Sequence, residues 1–183
     1  MKRRLLTILV GIVLFLLPGC SNGDIADQIV KKNIDNLYLV VYGQEAMEDY
    51  DIENLAVTYN KTEEKYSSRL YKIILLTEKY AENMNAERIA NFKNLMSGEG
   101  YWILFPCKEI EKVKDFAACF GKAVTISEHT VLRGYSLYYN KTQAAIQGVP
   151  HYVTSNSDDK KERNRMIKNS FRDMIENRYE DLP

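Results

Sequence analysis

The chain has 183 residues, and its 25 Lys and Arg residues are balanced by 25 Asp and Glu residues, so the formal net charge is zero. A chain of this length is expected to form one domain with its own hydrophobic core. The balanced charge does not fit a nucleic-acid-binding protein, which needs basic side chains to neutralise phosphates. We therefore expect no nucleic-acid partner.

The first part of the chain has the composition of an export signal. Residues 2–4 are basic, and residues 5–17 are almost wholly apolar. A basic start followed by an apolar core of 7–15 residues is typical of a secretory signal. Thirteen helical residues span about 20 Å, which is too short for the roughly 30 Å of hydrocarbon that a permanent transmembrane helix crosses.

The sequence Leu17-Pro18-Gly19-Cys20 ends this segment. It resembles the lipobox of bacterial membrane lipoproteins, although proline is unusual at its position. The resemblance covers residues 1–20 only, and it implies removal of the signal peptide (residues 1–19), diacylglycerol on the Cys20 thiol and a further acyl chain, such as palmitate, on the new amine. Two or three acyl chains give stable anchoring to a membrane. The alternative is an ordinary secretory signal with an incidental cysteine.

Cleavage would make residues 20–23 a short lipidated tether for a single domain over residues 24–183, and the body of the protein would lie close to the bilayer. The mature chain would carry 22 Lys and Arg residues against 25 Asp and Glu residues. Ser21, rather than an aspartate, follows the cysteine, which favours the outer membrane in a bacterium with two membranes. We therefore expect an extracytoplasmic protein that is anchored to the membrane through Cys20.

Turn-forming residues are sparse in the mature chain, and neither glycine nor proline occurs between Gly43 and Gly98. An all-β domain would need turn residues every 8–12 positions, so this spacing favours long helices. Apolar residues recur at three- to five-residue steps and predict helices over 25–43, 47–59, 66–84 and 85–96, the last with Asn85 as its N-cap. The sequence Ser97-Gly98-Glu99-Gly100 predicts a hinge at 97–100.

The apolar run 101–105 ends at a proline, and it is either a short strand or the first turn of a buried helix. Apolar spacing predicts helices over 108–120 and 127–140, although Val124 and Ile126, just before the second segment, alternate like a strand. A last helix is predicted from Asp158, since acidic residues favour a helix N-terminus. The predicted fold is therefore mainly α, a single domain resembling a helical bundle with about five to seven helices and a short strand near 101–105 as an option.

The sequence offers little catalytic chemistry. It has two histidines, His129 and His151, and no standard zinc, phosphate-loop or nucleophile-elbow motif. Cys119 with either histidine supplies a nucleophile and a base, in the order found in papain-like cell-wall peptidases. Their Asp-Cys-Ser-Gly motif is missing, because Cys119 lies in Ala-Ala-Cys-Phe-Gly. We therefore predict no catalytic, metal-binding or cofactor-binding residue, with a Cys119 hydrolase as an alternative.

Cys107 and Cys119 are the two thiols that remain once Cys20 is lipidated. Export would place them outside the reducing cytoplasm, so we predict that they form a disulfide. Twelve residues of straight helix would separate the two Cα atoms by about 18 Å, whereas a disulfide requires roughly 4.4–6.8 Å. The chain must therefore double back near Asp115, or the pair stays reduced.

Together these features predict a noncatalytic binding, assembly or exclusion/immunity-type lipoprotein of the bacterial envelope with another envelope protein as its partner. An adaptor of this kind should present an exposed apolar patch of several hundred Å². Besides the Cys119 hydrolase, a small-molecule binding lipoprotein is the other alternative. It is disfavoured because such binders are usually larger, two-domain α/β proteins.

Overall fold

The computed structural model describes residues 22–43, 58–60, 70–125, 131–153 and 159–180. The helices are α1 (Asn22–Lys32), α2 (Glu78–Glu82), α3 (Ala86–Glu99), α4 (Ile110–Cys119) and α5 (Asp159–Glu180), and a short 3-10 helix covers Ile34–Asn36. The strands are β1 (Leu37–Tyr42), β2 (Thr58–Asn60), β3 (Tyr71–Leu76), β4 (Tyr101–Phe105), β5 (Val131–Asn140) and β6 (Ala145–Val153).

The six strands form one mixed sheet in the order β2-β1-β3-β4-β5-β6. The first four strands in this order are parallel, whereas β5 and β6 are antiparallel to their neighbours. Parallel neighbours need a crossover connection, which α2 and α3 supply between β3 and β4. Helices α2, α3 and α4 pack on one face of the sheet, and α1 and α5 pack on the other. The architecture is therefore three layers, with the sheet between two helical layers.

The prediction of a mainly α, bundle-like fold is wrong, because the core of the molecule is this sheet. Strands β1, β3 and β4 are buried at every position. Strands that are covered on both faces read as continuous apolar runs and lack the alternation that marks a half-exposed strand. Crossover helices also replace tight turns, so a shortage of glycine and proline excludes an all-β fold but not an α/β fold.

Two segments that were each predicted to form one helix contain both a helix and a strand. The segment 25–43 divides into α1 and β1, and the segment 66–84 contains β3 followed by the short α2. The helix predicted over 47–59 lies almost wholly outside the described residues, and its last two positions belong to β2. Helix α1 already begins at Asn22, so the second half of the predicted tether is helical.

The helix predicted over 127–140 is also wrong, because residues 131–140 form β5. The pairing of β5 with β6 shifts register between Leu132 and Gly134, and such a bulge interrupts the alternation of inward and outward side chains. A Cβ atom on Gly134 would lie 2.5 Å from Sδ of Met166 and 2.8 Å from the carbonyl oxygen of Phe105. The glycine therefore lets α5 and the end of β4 approach the backbone of β5.

The remaining predictions for helices and for the short strand are confirmed. Asn85 caps α3, since its side-chain oxygen accepts a hydrogen bond from the backbone N–H of Arg88 at 2.9 Å. The run 101–105 is the strand β4, and of the three helices predicted after it the first and the last correspond to α4 and α5. The predicted hinge at 97–100 is the last turn of α3, which ends at Gly100 with a φ of 70°.

The two faces of the sheet bury different kinds of side chain. We call the side covered by α2, α3 and α4 the aromatic face, because its core contains a group of interacting rings: Tyr42, Tyr80, Phe92, Phe105, Phe116 and Phe120. We call the other side the α1/α5 face. The centre of its core is mainly aliphatic. Two side chains of α5, the aliphatic Ile167 and the aromatic Phe171, are fully buried against the sheet.

Candidate functional site

A cavity of about 200 Å³ lies where β3 and β4 end, and we call it the edge pocket. Its volume equals that of about six or seven water molecules. Its walls come from the residues that follow β3 and β4, from β5 and from the first turns of α5. Six of the lining residues are charged: Glu78, Lys108, Glu109, Arg133, Glu162 and Arg163. Open α/β sheets bind ligands beyond the carboxyl ends of their parallel strands, and the edge pocket lies at this edge, beside β3 and β4.

Two of the charged side chains in the edge pocket are deeply buried. Arg133 is 8% exposed and Glu162 is 7% exposed. Burying a charge is unfavourable unless hydrogen bonds or an opposite charge compensate for it. A guanidinium group has five N–H donors and a carboxylate has about four acceptor positions, so each ion can bind more than one partner. Buried charges of opposite sign beside one cavity can therefore hold both ends of a small polar molecule.

Lys112 fixes the acidic side of the edge pocket. Its Nζ atom lies 3.1 Å from carboxylate oxygens of Glu78, Glu82 and Glu109. Hydrogen bonds to these three carboxylates raise the pKa of Lys112 above its ordinary value, so the side chain is positively charged at neutral pH. Because Glu78 and Glu82 belong to α2, these contacts join α2 to the start of α4 next to the edge pocket.

Cys107 also lines the edge pocket, but its thiol is poorly suited to act as a nucleophile. The residue is buried, and its Sγ atom lies 3.8 Å from the carbonyl oxygen of Glu109. Burial raises the pKa of Cys107 to about 11, so the thiolate is scarce at neutral pH. The single S–H of Cys107 donates to the carbonyl oxygen of Glu109, so the sulfur offers the pocket only a weak acceptor.

The disulfide predicted between Cys107 and Cys119 is not formed, because both cysteines are free thiols. The reason is the straight helix between them. Helix α4 runs from Ile110 to Cys119 without doubling back, and its ten residues carry Cys119 about 14 Å along the helix axis. Cys107 stays in the segment just after β4, at the edge of the sheet.

The structure does not bring Cys119 and His151 together. Cys119 packs against the core of the aromatic face. His151 lies on the α1/α5 face, where its Nε2 atom is 2.6 Å from the hydroxyl oxygen of the fully buried Ser136. Burial lowers the pKa of His151 to about 4, although the carboxylate of Asp173 acts in the opposite direction. His129 and the lipidation candidate Cys20 lie outside the described residues.

Sequence reasoning did not identify the edge pocket. Its residues come from four separated segments, and Arg133 lies in the strand that was predicted to be helical. The available signal was the group 106–109, which directly follows the apolar run of β4. Polar residues at the carboxyl end of a buried strand are typical of ligand sites in α/β proteins. That signal becomes visible only when 101–105 is assigned to a parallel strand.

Within the part of the chain that the structure describes, no three His, Cys, Asp or Glu side chains are grouped so that they could hold a metal ion. None of the described helices is both long enough and apolar enough to cross a membrane. No family model matches the chain, and no curated protein or solved structure is significantly similar to it.

Proposed function

We propose that this protein is an extracytoplasmic lipoprotein of the bacterial envelope, anchored through Cys20, and that its domain binds a small polar ligand in the edge pocket without converting it chemically. The observation that carries the proposal is the pair of buried, opposite charges, Arg133 and Glu162, beside a cavity at the carboxyl ends of parallel strands. The α/β architecture supports a small-molecule binding lipoprotein more than a helical bundle would.

Two features support a noncatalytic role. The thiol that lines the edge pocket, on Cys107, has a pKa of about 11 and is therefore protonated at neutral pH. Cys119, the nucleophile of the alternative hydrolase, lies on the opposite face of the sheet from His151. A cysteine nucleophile needs a base within hydrogen-bonding reach, which His151 cannot supply to Cys119 from that position.

The surface gives less support to a protein-binding adaptor. The large apolar side chains that are exposed in the described part of the chain are Leu70, Ile110, Val131 and Tyr152. They lie on or beside different elements, namely β3, α4, β5 and β6. Scattered exposed apolar residues are normal on soluble domains, whereas a docking surface is expected to be contiguous. The small-ligand proposal is therefore preferred over the adaptor.

The anchor is tested by the variant Cys20→Ser in cells of the native host. Without the thiol that would carry the lipid, we expect the protein to accumulate as an uncleaved precursor or to leave the membrane fraction. Mass spectrometry of the membrane and soluble fractions distinguishes these products. A processed variant that stays fully in the membrane fraction would contradict lipid anchoring at this residue. Ser21→Ala, which preserves the cysteine, serves as the control.

The binding function is tested by thermal unfolding of the full-length protein with a panel of neutral, anionic, cationic and zwitterionic small molecules. A ligand present at one hundred times its Kd should stabilise the fold by about 2.7 kcal/mol and raise Tm. The double variant Lys108→Ala/Arg163→Ala, which removes two charges that line the pocket, should reduce this shift. Lys114→Ala removes a lysine that pairs with Glu111 on α4 and should leave it unchanged. A panel in which no compound shifts Tm, or a shift that survives the double variant, would contradict the proposal.

A further inference from the structure

The direction of α1 places the anchor end of the domain near the edge pocket. Only four residues, 33–36, separate α1 from the start of β1 at the amino edge of the sheet. The C-terminal end of α1 therefore lies at that amino edge. From Lys32 back to Asn22 the helix rises about 15 Å, comparable with the roughly 20 Å length of a six-residue strand.

A contact with α5 agrees with this direction. Asp27 of α1 lies 2.7 Å from Lys168, the tenth residue of α5. The earlier residues Glu162 and Met166 of α5 line the edge pocket, so α5 starts at the carboxyl edge of the sheet. Helices α1 and α5 thus run in the same direction, and Asn22 lies toward the carboxyl edge, as the pocket does. Since Ser21 alone separates Asn22 from Cys20, a lipid on that cysteine would hold the pocket-bearing edge toward the bilayer.

The electrostatics of the pocket favour a ligand that has both an anionic and a cationic group. Residues of the first two or three turns of α5 line the cavity, and helix N-termini favour anions. The guanidinium of Arg133 is suited to bidentate binding of a phosphate or carboxylate. The buried carboxylate of Glu162, together with the carboxylates held by Lys112, provides acceptors for an ammonium group. The edge pocket therefore offers groups for an anion and groups for a cation within about 200 Å³.

We propose that the edge pocket binds a phosphate group linked to an amine by a short chain, as in phosphoethanolamine, and that the bilayer supplies this group as a zwitterionic lipid headgroup. Arg133 binds the phosphate and Glu162 binds the ammonium group. The inference rests on the proposed binding function and on the anchor at Cys20, and it adds the class of ligand and its source.

The ligand class is tested by calorimetric titration of the full-length protein in mild detergent with three soluble probes. We expect phosphoethanolamine to bind at least tenfold more tightly than inorganic phosphate or ethanolamine, because only phosphoethanolamine carries a group for Arg133 and a group for Glu162. Arg133→Gln should weaken binding at least tenfold, and Glu162→Gln should remove the preference over inorganic phosphate. Lys114→Gln is the matched control, and thermal unfolding verifies that each variant is folded. If a buried-site variant fails to fold, Lys108→Gln at the exposed rim should still weaken phosphoethanolamine binding severalfold.

The source is tested with the full-length protein in vesicles of phosphatidylethanolamine or phosphatidylglycerol, by hydrogen exchange of the backbone amides of residues 107–109. We expect slower exchange in the phosphatidylethanolamine vesicles, and the difference between the two kinds of vesicle should disappear when excess phosphoethanolamine fills the pocket in both. Binding of free phosphoethanolamine without protection in vesicles would overturn the lipid source. Pocket-dependent binding of some other compound in the thermal panel, with no binding of phosphoethanolamine, would overturn the ligand class and leave the binding function standing. Failure of every compound would overturn both.

Discussion

The aromatic face and the α1/α5 face bury the same sheet in different ways. On the aromatic face, Tyr42 and Phe92 place their ring centroids 5.5 Å apart, and Phe105 and Phe116 place theirs 4.8 Å apart. These separations lie in the range of favourable ring pairs. On the α1/α5 face, the core is mainly aliphatic, and a partly buried hydrogen bond joins the side chains of Ser136 and His151.

Because of this difference, the two helical layers should respond to different changes in side-chain volume and in solution conditions. Ring packing depends on shape and has no group that titrates near neutral pH, so the aromatic face should respond mainly to changes of volume. The α1/α5 face contains a partly buried histidine, so it should also respond to pH. Ion pairs join helices on both faces, Asp27 with Lys168 on this face and Lys112 with Glu78 on the aromatic face. Three predictions test this division, from the largest expected effect to the smallest.

Truncation on the aromatic face should have the largest effect. Phe116 is buried and contacts the rings of Phe105 and Phe120, so Phe116→Ala removes two ring contacts and leaves a cavity. We expect a loss of about 3–5 kcal/mol in the free energy of unfolding, measured by denaturant titration. Phe116→Leu keeps most of the side-chain volume and should lose clearly less. A loss below about 1 kcal/mol for the alanine variant would show that α4 does not depend on this ring cluster.

Acidification should weaken the α1/α5 face specifically. The pKa of His151 is about 4 in the folded protein and near 6.5 in an unfolded chain, so the unfolded state binds the extra proton first as the pH falls. The contribution of this residue to stability should decrease from pH 7 to pH 4 and then level off, by about 2–3 kcal/mol. His151→Gln should remove this part of the pH dependence. If the free energy of unfolding changes equally with pH for His151→Gln and the wild type between pH 7 and pH 4, the prediction is wrong.

The ion pair between the two helices of the α1/α5 face should have the smallest effect. Asp27 and Lys168 are partly exposed, and exposed pairs typically contribute 0.2–1 kcal/mol. Asp27→Asn should therefore lower the free energy of unfolding by no more than about 1 kcal/mol at low salt, and the difference should shrink at high salt. Glu111→Gln, which removes a pair within α4, gives the matched control. A difference that grows with salt would exclude an electrostatic cause.

Helices that begin with a local signal could be predicted from the sequence. Asn85 caps α3 as predicted, and the apolar stripe of α5 is the stripe that covers the sheet. The strands could not be assigned in the same way, because β1 and β3 are buried on both faces and have no period of two. In β5, the bulge near Gly134 interrupts the period of two that this strand would otherwise show. Helix caps and apolar stripes could therefore be recognised in the sequence, whereas the layer of the fold in which a segment lies could not.

The candidate site was less predictable than the fold. Arg133 and Glu162 are far apart in sequence, and each resembles an ordinary surface charge until the topology brings both to one edge of the sheet. The disulfide prediction failed for a related reason. Compartment and cysteine count favoured a bond between Cys107 and Cys119, but the length of α4 separates them. Tertiary geometry decided both outcomes.

The cover of the α1/α5 face also affects how the chain folds as it emerges during synthesis. That face is closed by α1 and α5, the first and last of the described elements. Until α5 has emerged and docked, the apolar side chains of β1, β3 and β4 on that face are exposed to solvent. Parallel pairing of distant segments is slow, which prolongs this interval and favours aggregation. A chain interrupted before Ile167 would expose this face of the sheet to solvent, so completion of α5 is a condition for correct folding.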